Sequence, residues 1–267
     1  MQLTAVTNEV LPDTTPGALA RIFRAAVDAG VTTFEVRTLE GKRFPAMEPD
    51  AWTQLRTAAK EFGISYSAVS PGLFKAGLAS DLIEVQARHV LPMSLDLAEK
   101  LDVKTLIVFA PMRSAGDPPS AFARIVDLLG DTADRAAARG FEVQLENLPG
   151  SWADTSDACL SLLTEVNRSN FGYVWDTGNL YEAEGVTFET GFEKLKPFIR
   201  NVHMKDGRIE GGKMVWQQYG KGVTNVKGQI AALKAHGFDG TLVLEAACHP
   251  HAQDDFVNSL GYLRTIL

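Results

Sequence analysis

Four side chains able to bind a divalent cation, Glu146, Asp176, His203 and Glu245, each stand at the C-terminal end of their own short apolar run. The runs are Val143-Gln144-Leu145-Glu146-Asn147, Tyr173-Val174-Trp175-Asp176-Thr177, Asn201-Val202-His203-Met204-Lys205-Asp206 and Leu242-Val243-Leu244-Glu245. In a parallel barrel, strand ends of this kind form the mouth where the chemistry is done. Three carboxylates and an imidazole gathered there would repel one another and raise the carboxylate pKa values, unless a divalent cation sat among them. The residue types therefore point to a metal enzyme. Mn²⁺, Mg²⁺ and Co²⁺ take carboxylate oxygen and imidazole nitrogen in roughly octahedral geometry, and Zn²⁺ is the other ion the set would accept. Four protein ligands would leave about two positions open, enough for two adjacent oxygens of a hydroxy-ketone.

Positioning four residues in this way requires an alternation of strands and helices, and the chain carries one throughout. Strands are expected near Leu3 to Val6 and Thr32 to Arg37, then at Ser65 to Val69, Thr105 to Phe109 and Glu142 to Glu146. Gly172 to Asp176, Ile199 to Met204 and Thr241 to Glu245 bring the number to eight. Between them lie amphipathic stretches. In the first, Leu19, Ile22, Phe23, Ala26 and Val27 share a face, Thr15 is expected to cap it, Pro16 fits its first turn and Gly30 stops it. A second runs from Ala51 to Phe62, and Pro92 must break or kink the third. Eight such units predict an α/β fold, a single (β/α)8 TIM barrel with parallel strands, filling residues 1–267 as one domain. No GxGxxG follows the first strand, which argues against a dinucleotide-binding sheet.

The metal-site segments resemble those of the xylose isomerase-like superfamily of sugar phosphate isomerases and epimerases, which also includes dehydratases. The resemblance rests on Leu145-Glu146-Asn147, Trp175-Asp176-Thr177-Gly178-Asn179, Arg200-Asn201-Val202-His203-Met204-Lys205-Asp206 and Leu244-Glu245. His-x-Lys-Asp and the final Leu-Glu are its most specific pieces. It implies that Glu146 and Glu245 are both metal ligands and the acid/base pair, moving protons on opposite faces of a sugar-like substrate. It also implies a homodimer or homotetramer. The reaction is expected to be isomerisation or epimerisation through an enediolate; a lyase, either dehydratase or β-eliminating, would share the first step and remains the alternative. The chain departs from the family where Asn179 replaces a common histidine after the sixth strand, since an amide can hydrogen-bond a hydroxyl but cannot take up a proton.

Other residues are expected around this centre. Glu35 ends the second strand and could bind sugar hydroxyls, Arg208 could reach an oxyanion or phosphate, and Trp216 or Trp152 could stack on a sugar face. Strand alternation sends Lys205 to the same side as His203, and Asp206 is placed to anchor the loop that follows. That loop, Gly207 to Asn225, is long and glycine-rich and could cover the mouth. Trp175 should point outward as packing, and Cys159 reads as a core residue. Cys248 reads the same way; His249 and His251 read as rim residues. With 45% hydrophobic and 22% charged residues and a net charge of −7, the composition suits a soluble globular protein with a large core. A pI near 5.3 and scattered cations argue against nucleic acid as a partner. No apolar run approaches a membrane span or a signal peptide, so a cytoplasmic location is expected.

Overall fold

In a computed structural model, which describes residues 1–11, 13–246 and 252–267, eight parallel strands close into a barrel wrapped by helices. The strands are β1 (Gln2–Val6), β2 (Thr33–Val36), β3 (Ser65–Leu73) and β4 (Thr105–Phe109). They continue with β5 (Glu142–Glu146), β6 (Phe171–Asp176), β7 (Ile199–Met204) and β8 (Thr241–Leu244). Each strand pairs with its sequence neighbours, and β8 closes the ring onto β1. This is the expected (β/α)8 barrel. Cys248, His249 and His251 lie outside the described residues.

The strands are apolar on both sides because both sides are buried. Along β5 to β8 the outward residues Val143, Leu145, Tyr173, Trp175, Val202, Met204, Leu242 and Leu244 join the main core against the helices. The inward positions alternate with them: Ile107 and Val174 meet Ala68 inside the barrel. Trp175 is fully buried, with Phe192 at 5.2 Å and Phe188 at 5.9 Å between ring centroids, as alternation requires. Cys159 is likewise buried in the core.

The helices are α1 (Ala18–Asp28), α2 (Pro49–Glu61), α3 (Asp81–Val85), α4 (Leu91–Lys100) and α5 (Ala121–Ala137). They continue with α6 (Ser156–Val166), α7 (Thr177–Glu184), α8 (Glu189–Leu195), α9 (Val226–His236) and α10 (Ala252–Ile266). Two local expectations are corrected. Thr15 does not cap α1: its hydroxyl donates to Asp13 Oδ1 at 2.7 Å, and Gly17 in the left-handed region precedes the helix, so Pro16 falls in the turn before α1 and not in its first turn. The break at Pro92 takes the form of a π-turn over Gln86–Val90, where the Leu91 amide reaches back to the Gln86 carbonyl. The chain stays helical through this turn into α4, so the π-turn just before Pro92 accommodates the proline's missing N–H. No helix among the described residues is long and apolar enough to cross a membrane.

Candidate metal centre and active site

Register brings the four predicted ligands together at the C-terminal ends of β5 to β8. Asp176 pairs with His203 across β6 and β7, and His203 pairs with Val243, so Glu245 emerges two residues on, on the same face. Glu146 ends β5 in register with Val174, the inward residue two before Asp176. One ligand atom from each of Glu146, Asp176, His203 and Glu245 lies within 4.8 Å of the others, and all four residues are buried.

The imidazole shows how such a set fits a cation. His203 Nε2 lies 2.9 Å from Glu35 Oε2, a fully buried carboxylate that reaches across the barrel interior from β2, three strands away. This contact makes Nε2 a proton donor to Glu35, so Nδ1 is the ring nitrogen left to face a cation. Nδ1 is buried and makes no hydrogen bond. It points at Glu146 Oε1, 3.4 Å away, and Glu245 Oε1, 3.7 Å away. Burial disfavours the imidazolium, yet Glu35, Glu146 and Glu245 together push the His203 pKa well above its ordinary value. The centre therefore demands positive charge at Nδ1, which a divalent ion with three carboxylate oxygens and one imidazole nitrogen would supply.

Fixed cations supply part of the balance, which alters the expectation that all the carboxylates would rise in pKa. Burial raises Glu245, but Arg37, Lys205 and His203 hold it well below the usual carboxylate range. Arg37 bridges Glu245 to Glu9, and Lys205 Nζ sits 2.5 Å from Glu245 Oε2 and 2.5 Å from Asp176 Oδ2. Glu146 is also lowered: burial opposes its charge, and the neighbouring His203 outweighs that effect. Asp176 alone of these three carboxylates rises, to about 6, because burial there exceeds the pull of Lys205.

Asp176 is held from behind. The Asn147 side chain donates to the Asp176 carbonyl at 2.9 Å and accepts from its amide at 3.0 Å, and the Tyr173 hydroxyl braces the same Asn147 oxygen at 2.7 Å. Asp176 Oδ1 accepts from the Asn179 amide at 2.9 Å, capping α7, while Oδ2 takes Lys205. One aspartate thus ends a strand, starts a helix and faces the centre.

A family profile described as Xylose isomerase-like TIM barrel matches residues 23–266. The chain belongs to that family. Among curated relatives, the inosose dehydratase of Geobacillus thermodenitrificans (strain NG80-2) is 27% identical over 151 residues, an alignment spanning 51% of this chain and 50% of that protein. Among solved structures, the probable 3-DHS dehydratase AsbF from Bacillus anthracis superposes with a TM-score of 0.81 at 18% identity, covering 99% of each chain. A D-allulose 3-epimerase from Methylomonas sp. superposes with a TM-score of 0.79 at 16% identity, covering 100% of this chain and 98% of that one. At these identities the two superpositions establish the fold.

Within this xylose isomerase-like barrel, the outer residues expected from sequence separate into two groups. Lys205 and Trp216 are at the centre, with the ammonium 5.4 Å from the indole ring. Asn179 is there too, but its side chain is committed internally: Nδ2 donates to the Asn147 carbonyl at 2.9 Å, and Oδ1 accepts from Lys205 at 3.2 Å. Glu35 was expected to meet sugar hydroxyls and instead stands behind His203. Arg208, expected to reach an oxyanion, lies exposed on the hairpin Asp206–Glu210/Lys213–Gln217, paired with Glu210 on its own strand. Trp152, considered for stacking, donates to Asp117 at 2.9 Å under the Arg113 guanidinium.

Gly178 sits where the hairpin meets the site. A Cβ there would stand 2.6 Å from Lys205 Cβ and 2.7 Å from the Trp216 ring. Gly178→Ala should therefore force both aside and lower stability by about 1–3 kcal/mol, which urea unfolding would measure.

The loop after β7 is anchored as the sequence suggested. Asp206 Oδ2 accepts from the Gly220 amide at 2.8 Å and the Gly222 amide at 3.0 Å; Oδ1 accepts from Gly207 and from the Thr224 hydroxyl, each at 2.9 Å. The Tyr219 hydroxyl then donates to the Met204 carbonyl at 2.5 Å and accepts from the Glu245 amide at 3.1 Å, tying the loop to the backbone of a predicted ligand. In Asp206→Asn the NH₂ would face donor amides, with an expected loss of about 1–3 kcal/mol. Faster proteolysis within residues 207–225 would accompany the loss.

The sequence reading missed Glu9, Arg37's contact with Glu245, Lys75 and Asn147. Only Arg37 carried a usable signal: it lies two residues after inward-facing Glu35, and alternation carries its side chain inward as well.

Proposed function

We propose that this protein is a divalent-metal-dependent isomerase or epimerase of a hydroxy-carbonyl, sugar-like compound, with Glu146 and Glu245 moving the protons. The observation that carries the reading is the pair of carboxylates, Glu146 and Glu245, 3.4 and 3.7 Å from His203 Nδ1 and completed by Asp176. A divalent ion held by Glu146, Asp176, His203 and Glu245 would acidify a C–H next to a carbonyl by stabilising the negative charge that develops on oxygen.

The protein's own groups then differ in their parts. Glu245 is clamped by Arg37 and Lys205, so it is held ionised and fixed in place. Glu146 makes no ion pair with lysine or arginine among the described residues, so its oxygens are the freer to accept a proton from carbon. Return of the proton by Glu146 to a neighbouring carbon gives isomerisation; inversion would require Glu245 first to receive a proton from the Lys205 ammonium at its Oε2 and to deliver it to the other face while Glu146 keeps the one it removed. Trp216 and the hairpin beside Lys205 would shield the reacting carbon from bulk water.

The similarity to an inosose dehydratase favours a second reading, in which removal of the same proton is followed by loss of water. Proton exchange in heavy water across ketoses, inososes and keto-glycosides, with Mn²⁺ added, tests both. Deuterium at one carbon together with an epimer or aldose is the expected result. Elimination products would replace the isomerase reading with the lyase. No metal-dependent exchange in any compound would contradict both.

A further inference from the structure

Five carboxylates converge on the mouth among the described residues: Glu9, Glu35, Glu146, Asp176 and Glu245. Four fixed cations face them, Arg37, Arg43, Lys75 and Lys205. A divalent ion with a neutral imidazole would leave the mouth with one positive charge in excess. The excess has a definite place. Arg37 and Lys205 are bound to carboxylates, whereas Arg43 and Lys75 make no ion pair with a carboxylate among the described residues.

Arg43, from the segment that follows β2, and Lys75, two residues past β3, meet at the C-terminal end of β3. Arg43 lies across Gly72, its Nε 2.6 Å from where a Cβ would stand, and donates to the Ser70 carbonyl at 3.1 Å and hydroxyl at 3.0 Å. Three residues beyond Gly72, the Lys75 ammonium stands 3.6 Å from the ring centroid of Phe109, the register partner of Glu146. The ring attracts the ammonium without neutralising it, so its charge remains available.

The backbone that presents Lys75 is held on both sides. Phe74 is buried with φ +70, a strained setting for a bulky residue, and its amide donates to Gln86 Oε1 at 2.7 Å. On the other side the Met112 amide donates to the Ala76 carbonyl at 2.9 Å. The Lys75 side chain itself is open to solvent, yet enclosing protein draws its pKa down to about 8 against the pull of Glu146. Both facts suit a side chain standing in a concave mouth, accessible to a ligand and walled by protein.

We propose that Lys75, with Arg43 beside it, binds an anionic group of the substrate, a carboxylate or a phosphate, so that the substrate class is an acidic or phosphorylated hydroxy-carbonyl compound. The inference rests on the isomerase or lyase reading of the same mouth. Its test is calorimetric titration of the Mn²⁺-loaded full chain with D-fructose, D-fructuronate and D-fructose 6-phosphate, in wild type, Lys75→Met and Lys75→Arg. At least one anionic probe should bind wild type about tenfold more tightly than D-fructose, as expected for one charge-assisted contact. That preference should vanish in Lys75→Met and persist in Lys75→Arg. Which anion shows it identifies the group.

Equal affinities, no binding of either anion, or a preference that survives Lys75→Met would each overturn the subsite. Deuterium incorporation measured in the same samples separates this result from the underlying reading. Exchange without charge preference overturns the subsite and leaves the proton-transfer reading standing. A Lys75-dependent preference without exchange supports the subsite and counts against proton transfer.

Discussion

Glu146→Gln is expected to slow solvent-deuterium exchange into substrate by about 10²–10⁴-fold, the range a positioned general base contributes. The amide keeps the shape and one oxygen facing His203 Nδ1, at 3.4 Å in the native protein, but it cannot accept a proton from carbon. No lysine or arginine loses an ion-pair partner, so the fold should survive and thermal unfolding should change little. Glu245→Gln is a less clean probe, because it also removes charge from between Arg37 and Lys205. Comparing exchange rates of wild type and Glu146→Gln at saturating Mn²⁺ checks the prediction. A Glu146→Gln rate within a few-fold of wild type would remove Glu146 from the chemistry.

The second large effect concerns a residue that touches the centre only through its ligand. Glu35 Oε2 holds the His203 Nε2 proton from across the barrel, fixing both tautomer and ring orientation. Loss of such support typically weakens metal binding by about 10–100-fold. Glu35→Gln keeps an acceptor oxygen and loses the charge, so it should fall near the lower figure; Glu35→Leu removes the acceptor and should approach the upper. Calorimetric titration with Mn²⁺ gives both values. Equal affinity in wild type and Glu35→Leu would mean that Glu35 serves packing alone.

What could be read from sequence and what could not divides along a physical line. The convergence of Glu146, Asp176, His203 and Glu245 was legible because each ends an apolar run, and strand alternation with eight β/α units brings such ends to one mouth. The inward turn of Lys205, the outward turn of Trp175 and the anchoring by Asp206 follow from the same periodicity. Contacts across the barrel were not legible, because no local pattern states which side chains of β2 and β7 meet. Glu35 therefore read as a sugar-binding rim residue, although it is fully buried behind His203. Arg208 misled for a related reason: a long glycine-rich loop gave no sign that it would form a hairpin and carry the guanidinium outward. The short α7 and α8, separated by only a few residues, carry little apolar periodicity and went unseen.

Titration of chelator-stripped protein with Mn²⁺, for wild type and His203→Ala, tests the central claim most directly. Four buried donor atoms within 4.8 Å of one another predict one ion per chain in wild type, bound far more weakly when Nδ1 is gone. Absence of binding in wild type, or equal affinity in His203→Ala, would contradict a metal centre built from Glu146, Asp176, His203 and Glu245.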